Sequence, residues 1–171
     1  MPIAFTLWLA LLIGPPAEQP AVHFPTVTSV NLEGKAFTMP ADFAGTRNIV
    51  FVAFQMAQQA DVDTWVPTVK QLIGRTPGLE YYELPTIKKM VAPMRWMINS
   101  GMKSGINDRN ARDRTITLYI DKTPFKDALG ITDESAIQVL LVERSGAILW
   151  RSTGRFTAEK GAALTAAVSA K

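Results

Sequence analysis

"NIVFVAFQMAQQADVDTWVPTV", residues 48–69, is the stretch on which the fold reading rests. Its first seven residues, Asn48 to Phe54, form an almost continuous apolar run of strand length, as a strand covered on both faces requires. Beyond it, Val62, Trp65, Val66, Val69, Leu72 and Ile73 recur at helical spacing until Gly74 stops the pattern. A buried strand therefore hands over to an amphipathic helix through a glutamine-rich turn. Pro67 lies inside that helix, where proline costs about 3 kcal/mol, so a kink is expected.

The surrounding pattern extends this reading. "VNLEGKAFTM", residues 30–39, places Gly34 between two extended runs, as in a hairpin. "LEYYEL" (79–84) and "TITLYI" (115–120) read as further strands, and "PFKDALGI" (124–131) as a short helical piece. "IQVLLVE" and "AILWRST" form a hairpin about Arg144-Ser145-Gly146, and a last helix follows with Thr157 as N-cap. Strands alternating with helices and closing on a hairpin plus helix predict an α/β sandwich with a mixed sheet.

Composition narrows the chemistry. The chain has 171 residues, enough for one domain with a sizeable core, and a net charge of +3, too small to suggest nucleic acid. It has no cysteine, which removes thiol nucleophiles, disulfides and thiolate metal sites. The single histidine, His23, leaves no basis for a histidine metal cluster or a Ser/His/Asp triad. No cofactor or metal is expected, and the protein reads as a non-enzyme. At the N-terminus an apolar run from Ile3 to Ile13 breaks at Gly14-Pro15-Pro16. The run is shorter than the about 20 residues of a membrane span and suits a signal-peptide core, although no Lys or Arg precedes it. Residues 1–21 are accordingly read as a signal peptide or retained anchor and residues 22–171 as one domain. An exported, periplasmic or membrane-associated location follows.

"LEGKAFTMPADFAGTRNIVFVAF", residues 32–54, resembles the opening of the redoxin branch of the thioredoxin superfamily: a Gly-Lys hairpin, a Phe-x-Gly turn and the first buried strand. "VLLVERSGAI", residues 139–148, resembles that branch's later strand hairpin. The resemblance implies a thioredoxin-like three-layer sandwich. Taking Pro67 as the proline that follows the family's second active-site cysteine puts the two cysteine positions at Gln59 and Val62. Counting back from Gly146 puts the family's cis-proline at Ile137. A cis bond without proline costs about 3–4 kcal/mol, so a trans bond and a reshaped facing loop are expected there. A narrower similarity, over residues 45–165, is to the mitochondrial ATP synthase assembly-chaperone family that assists subunit a. It is carried by "FQMAQQADVDTW", "KDALGI" and "IQVLLVERSGAILWRSTG" in that order. The chain departs from it by one extra residue between Trp150 and Gly154, and at Leu149 and Ser152.

Two groups of residues are candidates for binding. The first is the degenerate turn and its facing loop: Gln55, Gln58, Gln59, Asp61, Ser135 and Ile137. The second is a basic helical insertion at about residues 85–114, with Lys88, Lys89, Arg95, Trp96, Lys103, Arg109 and Arg112. Residues 84–114 hold seven cations against two acids, a larger excess than the whole chain carries. A helix started at Ile87 would align Ile87, Met90, Val91, Met94, Met97 and Ile98 as an apolar stripe, with Trp96 opposite among cations. A helix starting at Pro93 is the alternative register. The Met run is expected to pack as core, and "GINDRNARDR" (105–114) to be a mobile charged loop. The partner expected is a polypeptide, such as a membrane-complex subunit served by an assembly factor or chaperone. An anionic membrane surface is the alternative, with non-thiol enzyme chemistry last.

Overall fold

The computed structural model describes residues 22–170, so the reading of residues 1–21 lies outside the described residues. The apolar run Asn48 to Phe54 falls on β3 (Arg47–Ala53), the middle strand of a five-stranded sheet. Its residues Ile49 to Val52 are fully buried, because both faces of the sheet are covered. β4 (Leu79–Lys88) pairs parallel with it on one side, and β5 (Leu118–Ile120) continues parallel beyond β4. On the other side β6 (Gln138–Glu143) pairs antiparallel with β3 and β7 (Ile148–Thr153) antiparallel with β6, giving the order β5-β4-β3-β6-β7. A separate hairpin, β1 (Val27–Val30) with β2 (Ala36–Met39), turns at Gly34, whose φ of 87° is glycine territory.

Two apolar layers sandwich the sheet. On one face α2 (Val66–Arg75) and α6 (Ala158–Ser169) bring Val69, Leu72, Leu164 and Val168 against Ile49, Phe51, Val139 and Leu141. On the other, α5 (Lys122–Leu129) and the β1–β2 hairpin place Phe125, Leu129, Phe37 and Met39 against Val50, Val52, Leu140 and Val142. The result is the thioredoxin-like three-layer α/β sandwich with a mixed sheet. The predicted cap at Thr157 is present, its side chain accepting from the Lys160 amide at 3.2 Å, and α5 ends at Gly130, whose φ is 63°.

Several local expectations change. Pro67 does not kink a continuous helix. It occupies the first turn of α2, and the apolar spacing is split between α1 (Gln59–Asp63) and α2, with Trp65 at the joint. The first turn is where a missing N–H costs nothing. The basic insertion begins later than expected, because β4 runs through Lys88. Its helix is α3 (Ala92–Gly105), with Pro93 in the first turn, so the register started at Ile87 does not form. No residue of α3 is buried, and Met94 and Met97 are 49% and 62% exposed, so the Met run is not core. Nor is "GINDRNARDR" a structureless loop. It contains α4 (Arg109–Arg114), capped by Asp108, whose carboxylate accepts from the Asn110 amide at 2.9 Å.

Candidate functional site

The glutamine-rich turn lies at the C-terminal end of β3. It comprises a single 3-10 turn (Met56–Gln58) followed by α1. Gln59 is exposed and Val62 is buried, one helical turn apart. The Gln59 amide donates to the carboxylates of Asp63 at 3.0 Å and Glu83 at 3.2 Å. Glu83 is half-buried on β4, and burial pushes its carboxyl above the usual carboxylate range, with the Gln59 hydrogen bond opposing that shift. The sequence reading missed Glu83. Its signal was an acid in the middle of an otherwise buried strand pattern.

Gln58 is not available to a partner. Only 4% exposed, it accepts from the Phe54 amide at 2.7 Å and the Gln55 amide at 3.2 Å, and donates to the Glu134 carbonyl at 2.7 Å. Gln55 remains exposed, although its side chain also reaches the Glu134 carbonyl at 3.4 Å. The Glu134 carboxylate is itself gripped by Lys122 and Lys126, whose hydrogen bonds hold its pKa below the usual range. The turn and the facing loop are therefore strapped together. Ile137 is fully buried beneath the strap among Ile49, Phe51 and Val139 and offers no surface. The peptide bond before it is trans; Met39–Pro40 is the one cis bond among the described residues. Ser135 folds back onto Asp133, its amide donating at 2.8 Å, and stays exposed at the rim. Asp61 pairs loosely with Arg155 at 3.6 Å.

An opening lies instead on the opposite side of the turn, against the insertion. A cavity of about 210 Å³ is walled by Phe54, Gln55, Met56 and Gln59 from the turn, Pro85 and Ile87 from β4, and Ile98 and Met102 from α3. Two of the residues named from the sequence, Gln55 and Gln59, thus meet the insertion, but at its inner face rather than at Trp96. α3 is held there by edge contacts: the Tyr119 hydroxyl donates to Asn99 at 2.7 Å, and the Thr117 hydroxyl reaches the Met102 sulfur at 3.7 Å. Spacing showed the helix, but only the tertiary path of β5 shows which face turns inward.

The basic residues divide in the same way. Arg112 is absorbed into the structure: it pairs with Glu33 at 2.5 Å and donates to the Ile106 and Asn107 carbonyls at 2.9 and 3.1 Å. Lys103 also approaches Glu33, at 3.4 Å. Glu33 is held below its ordinary pKa, first by Arg112 and then by Lys103. Arg114 pairs with Glu80 at 2.9 Å. Lys88, Lys89, Arg95 and Arg109 are exposed and form no ion pair among the described residues. Trp96 is 73% exposed. Among the described residues no group of three or more metal-ligating side chains converges.

No family model matches the chain, and no curated protein matches it. Solved structures do. A putative electron transport protein from Aquifex aeolicus VF5 superposes with a TM-score of 0.60 at 12% identity, over 88% of this chain and 99% of its own. BsSco, a member of the Sco family of cytochrome c oxidase assembly proteins, superposes with a TM-score of 0.56 at 12% identity, over 90% and 98%. The thioredoxin domain of a thiol-disulfide oxidoreductase from Bacteroides vulgatus gives 0.53 at 14% identity, over 79% and 89%. At these identities the shared property is the thioredoxin-like fold.

Proposed function

We propose that the protein is a non-catalytic thioredoxin-like binder that holds an apolar stretch of a polypeptide at the cavity between its turn and α3. The observation that carries this reading is the cavity itself. It sits beside the position of the lost cysteines, is lined almost wholly by apolar side chains, and has the exposed side chains of Gln55 and Gln59 on its wall. At about 210 Å³ it is smaller than the roughly 300–1,000 Å³ typical of small-molecule pockets, and suits an inserted side chain better than a cofactor. Met56, 95% exposed, and Met102 give it walls that repack around different apolar shapes. Catalysis is no part of the reading: the positions at Gln59, Val62 and Ile137 carry an amide and two buried aliphatics, and Glu83 is tied to Gln59. The fuller form, an assembly factor for a membrane complex resembling the ATP synthase assembly chaperones, draws its support from the order of the sequence motifs.

The test is photocrosslinking from Met56 in the full chain, repeated with Met102→Trp, which fills the cavity, and with Ile98→Lys, which charges it. Adducts with a defined polypeptide that vanish in both variants support the reading. Adducts indifferent to both variants, or none at all, overturn it.

A further inference from the structure

With no cysteine, the chain has no thiol to meet an oxidant first, and its seven methionine thioethers are the softest nucleophiles in it. The fold grades their reactivity. Met39 is fully buried, and Met90 and Met102 are half-buried. Met102 is shielded further: the Thr117 hydroxyl donates to its sulfur at 3.7 Å and occupies a lone pair that an oxidant needs. That is the one hydrogen bond to a sulfur among the described residues. Met94 and Met97 are exposed, but on α3 and outside the cavity lining. Met56 alone combines near-complete exposure, 95%, with a place on the cavity wall.

Its backbone is held in that place. Met56 opens the single 3-10 turn, and the Gln58 side chain fixes the turn by accepting from the Phe54 and Gln55 amides. An apolar side chain so placed is stabilised when an apolar surface covers it, and gains nothing from water. As a sulfoxide the same side chain is polar, and covering it with an apolar surface costs the loss of its hydration. We propose that Met56 is a reversible oxidation site: hydrogen peroxide converts its thioether to the sulfoxide, and the sulfoxide releases the apolar segment that the cavity holds. The proposal rests on the cavity reading above. In the forward step the sulfur lone pair attacks one peroxide oxygen, the O–O bond breaks and an S=O bond forms. The other oxygen leaves as water with both protons, so sulfur is oxidised by two electrons and the peroxide reduced by two. In the return step a dithiol, acting through the methionine sulfoxide reductases, becomes a disulfide and releases water.

The test treats the full chain with hydrogen peroxide at limiting dose and locates the sulfoxide by peptide mass spectrometry. Met56 should be oxidised first, and thermal unfolding should not change, because the side chain lies in water. Binding is read by fluorescence anisotropy with a fluorescein-tagged tetraleucine peptide. Oxidation should weaken it about tenfold or more, the scale of losing one buried methionine side chain. The two reductases, one for each epimer, should restore it with a dithiol. Met56→Leu, compared with its own untreated sample, should lose no affinity on the same treatment. Sulfoxide at Met94 or Met97 ahead of Met56, affinity unchanged by oxidation, or an equal loss in Met56→Leu would each overturn the proposal and leave the cavity reading standing. A tetraleucine peptide that fails to bind even the untreated protein would overturn both.

Discussion

Replacing Gln58 by alanine removes a side chain that the sequence reading placed at a binding surface and the structure places inside a strap. Three hydrogen bonds go with it: those from the Phe54 and Gln55 amides, and the one to the Glu134 carbonyl. The Phe54 amide is left buried without an acceptor, which costs about 1–3 kcal/mol. The lost bond to Glu134 adds about 1 kcal/mol, while the Gln55 amide, bonded at only 3.2 Å beside solvent, regains water at little cost. The sum is about 2–4 kcal/mol, a large share of a small domain's stability. Urea unfolding should show this as a lower midpoint with an unchanged slope, and hydrogen exchange should show faster opening at Phe54 than in the core of β3. Gln58→Glu separates strap from packing. The carboxylate keeps both acceptor bonds but faces the Glu134 carbonyl in a buried site, so its folded pKa rises above the unfolded value. The variant is then most stable below the unfolded pKa and loses stability as pH rises through the folded one. If Gln58→Ala costs under about 0.5 kcal/mol and Phe54 exchange is unchanged, the strap is not what holds the turn.

Other outcomes follow from single sites. Glu83→Gln should be more stable than the parent at neutral pH and lack part of its pH dependence, because burial raises the Glu83 pKa. The parent therefore loses stability as pH rises through that folded value, which pH-resolved unfolding measures. Gly45→Ala would place a Cβ 2.5 Å from the Arg47 carbonyl oxygen and 2.8 Å from the Asn48 Oδ1 and the Gly78 carbonyl oxygen, so it should cost about 3 kcal/mol or more in urea unfolding. Trp65→Ala should cost about 3–5 kcal/mol: the ring is fully buried, packs edge-on to Trp150 and Phe156, and donates to the Gly154 carbonyl at 3.0 Å.

The sheet was legible because its signals are local. β3 is a strand-length apolar run, β6 and β7 flank a turn glycine, and Thr157 announces α6, each within a few residues of sequence. The resemblance placed the turn correctly, at the end of β3. What the sequence could not show was which of its glutamines is spent. Gln55, Gln58 and Gln59 are chemically alike, and only the approach of Glu134, far along the chain, buries one and leaves the others exposed. The same holds for the cations: Arg112 differs from Arg109 because Glu33 and the Ile106 and Asn107 carbonyls stand opposite it. The insertion was misread for a third reason. Periodicity assumes that an apolar stripe is buried, and on α3 much of the apolar side chain faces outward.

Gln59 and Val62 stand one helical turn apart on α1, the first open to solvent and the second covered. That pair of environments makes the turn an engineering handle. Cβ atoms at this spacing lie about 5–6 Å apart, so a modest closure would satisfy disulfide geometry. In a chain with no other thiol, Gln59→Cys with Val62→Cys would form a single reversible bond. An external reagent would reach only its outer sulfur. Closing and opening that bond while the cavity is loaded would give direct electrochemical control over a wall of the site, in a protein whose own sequence contains no redox chemistry of that kind.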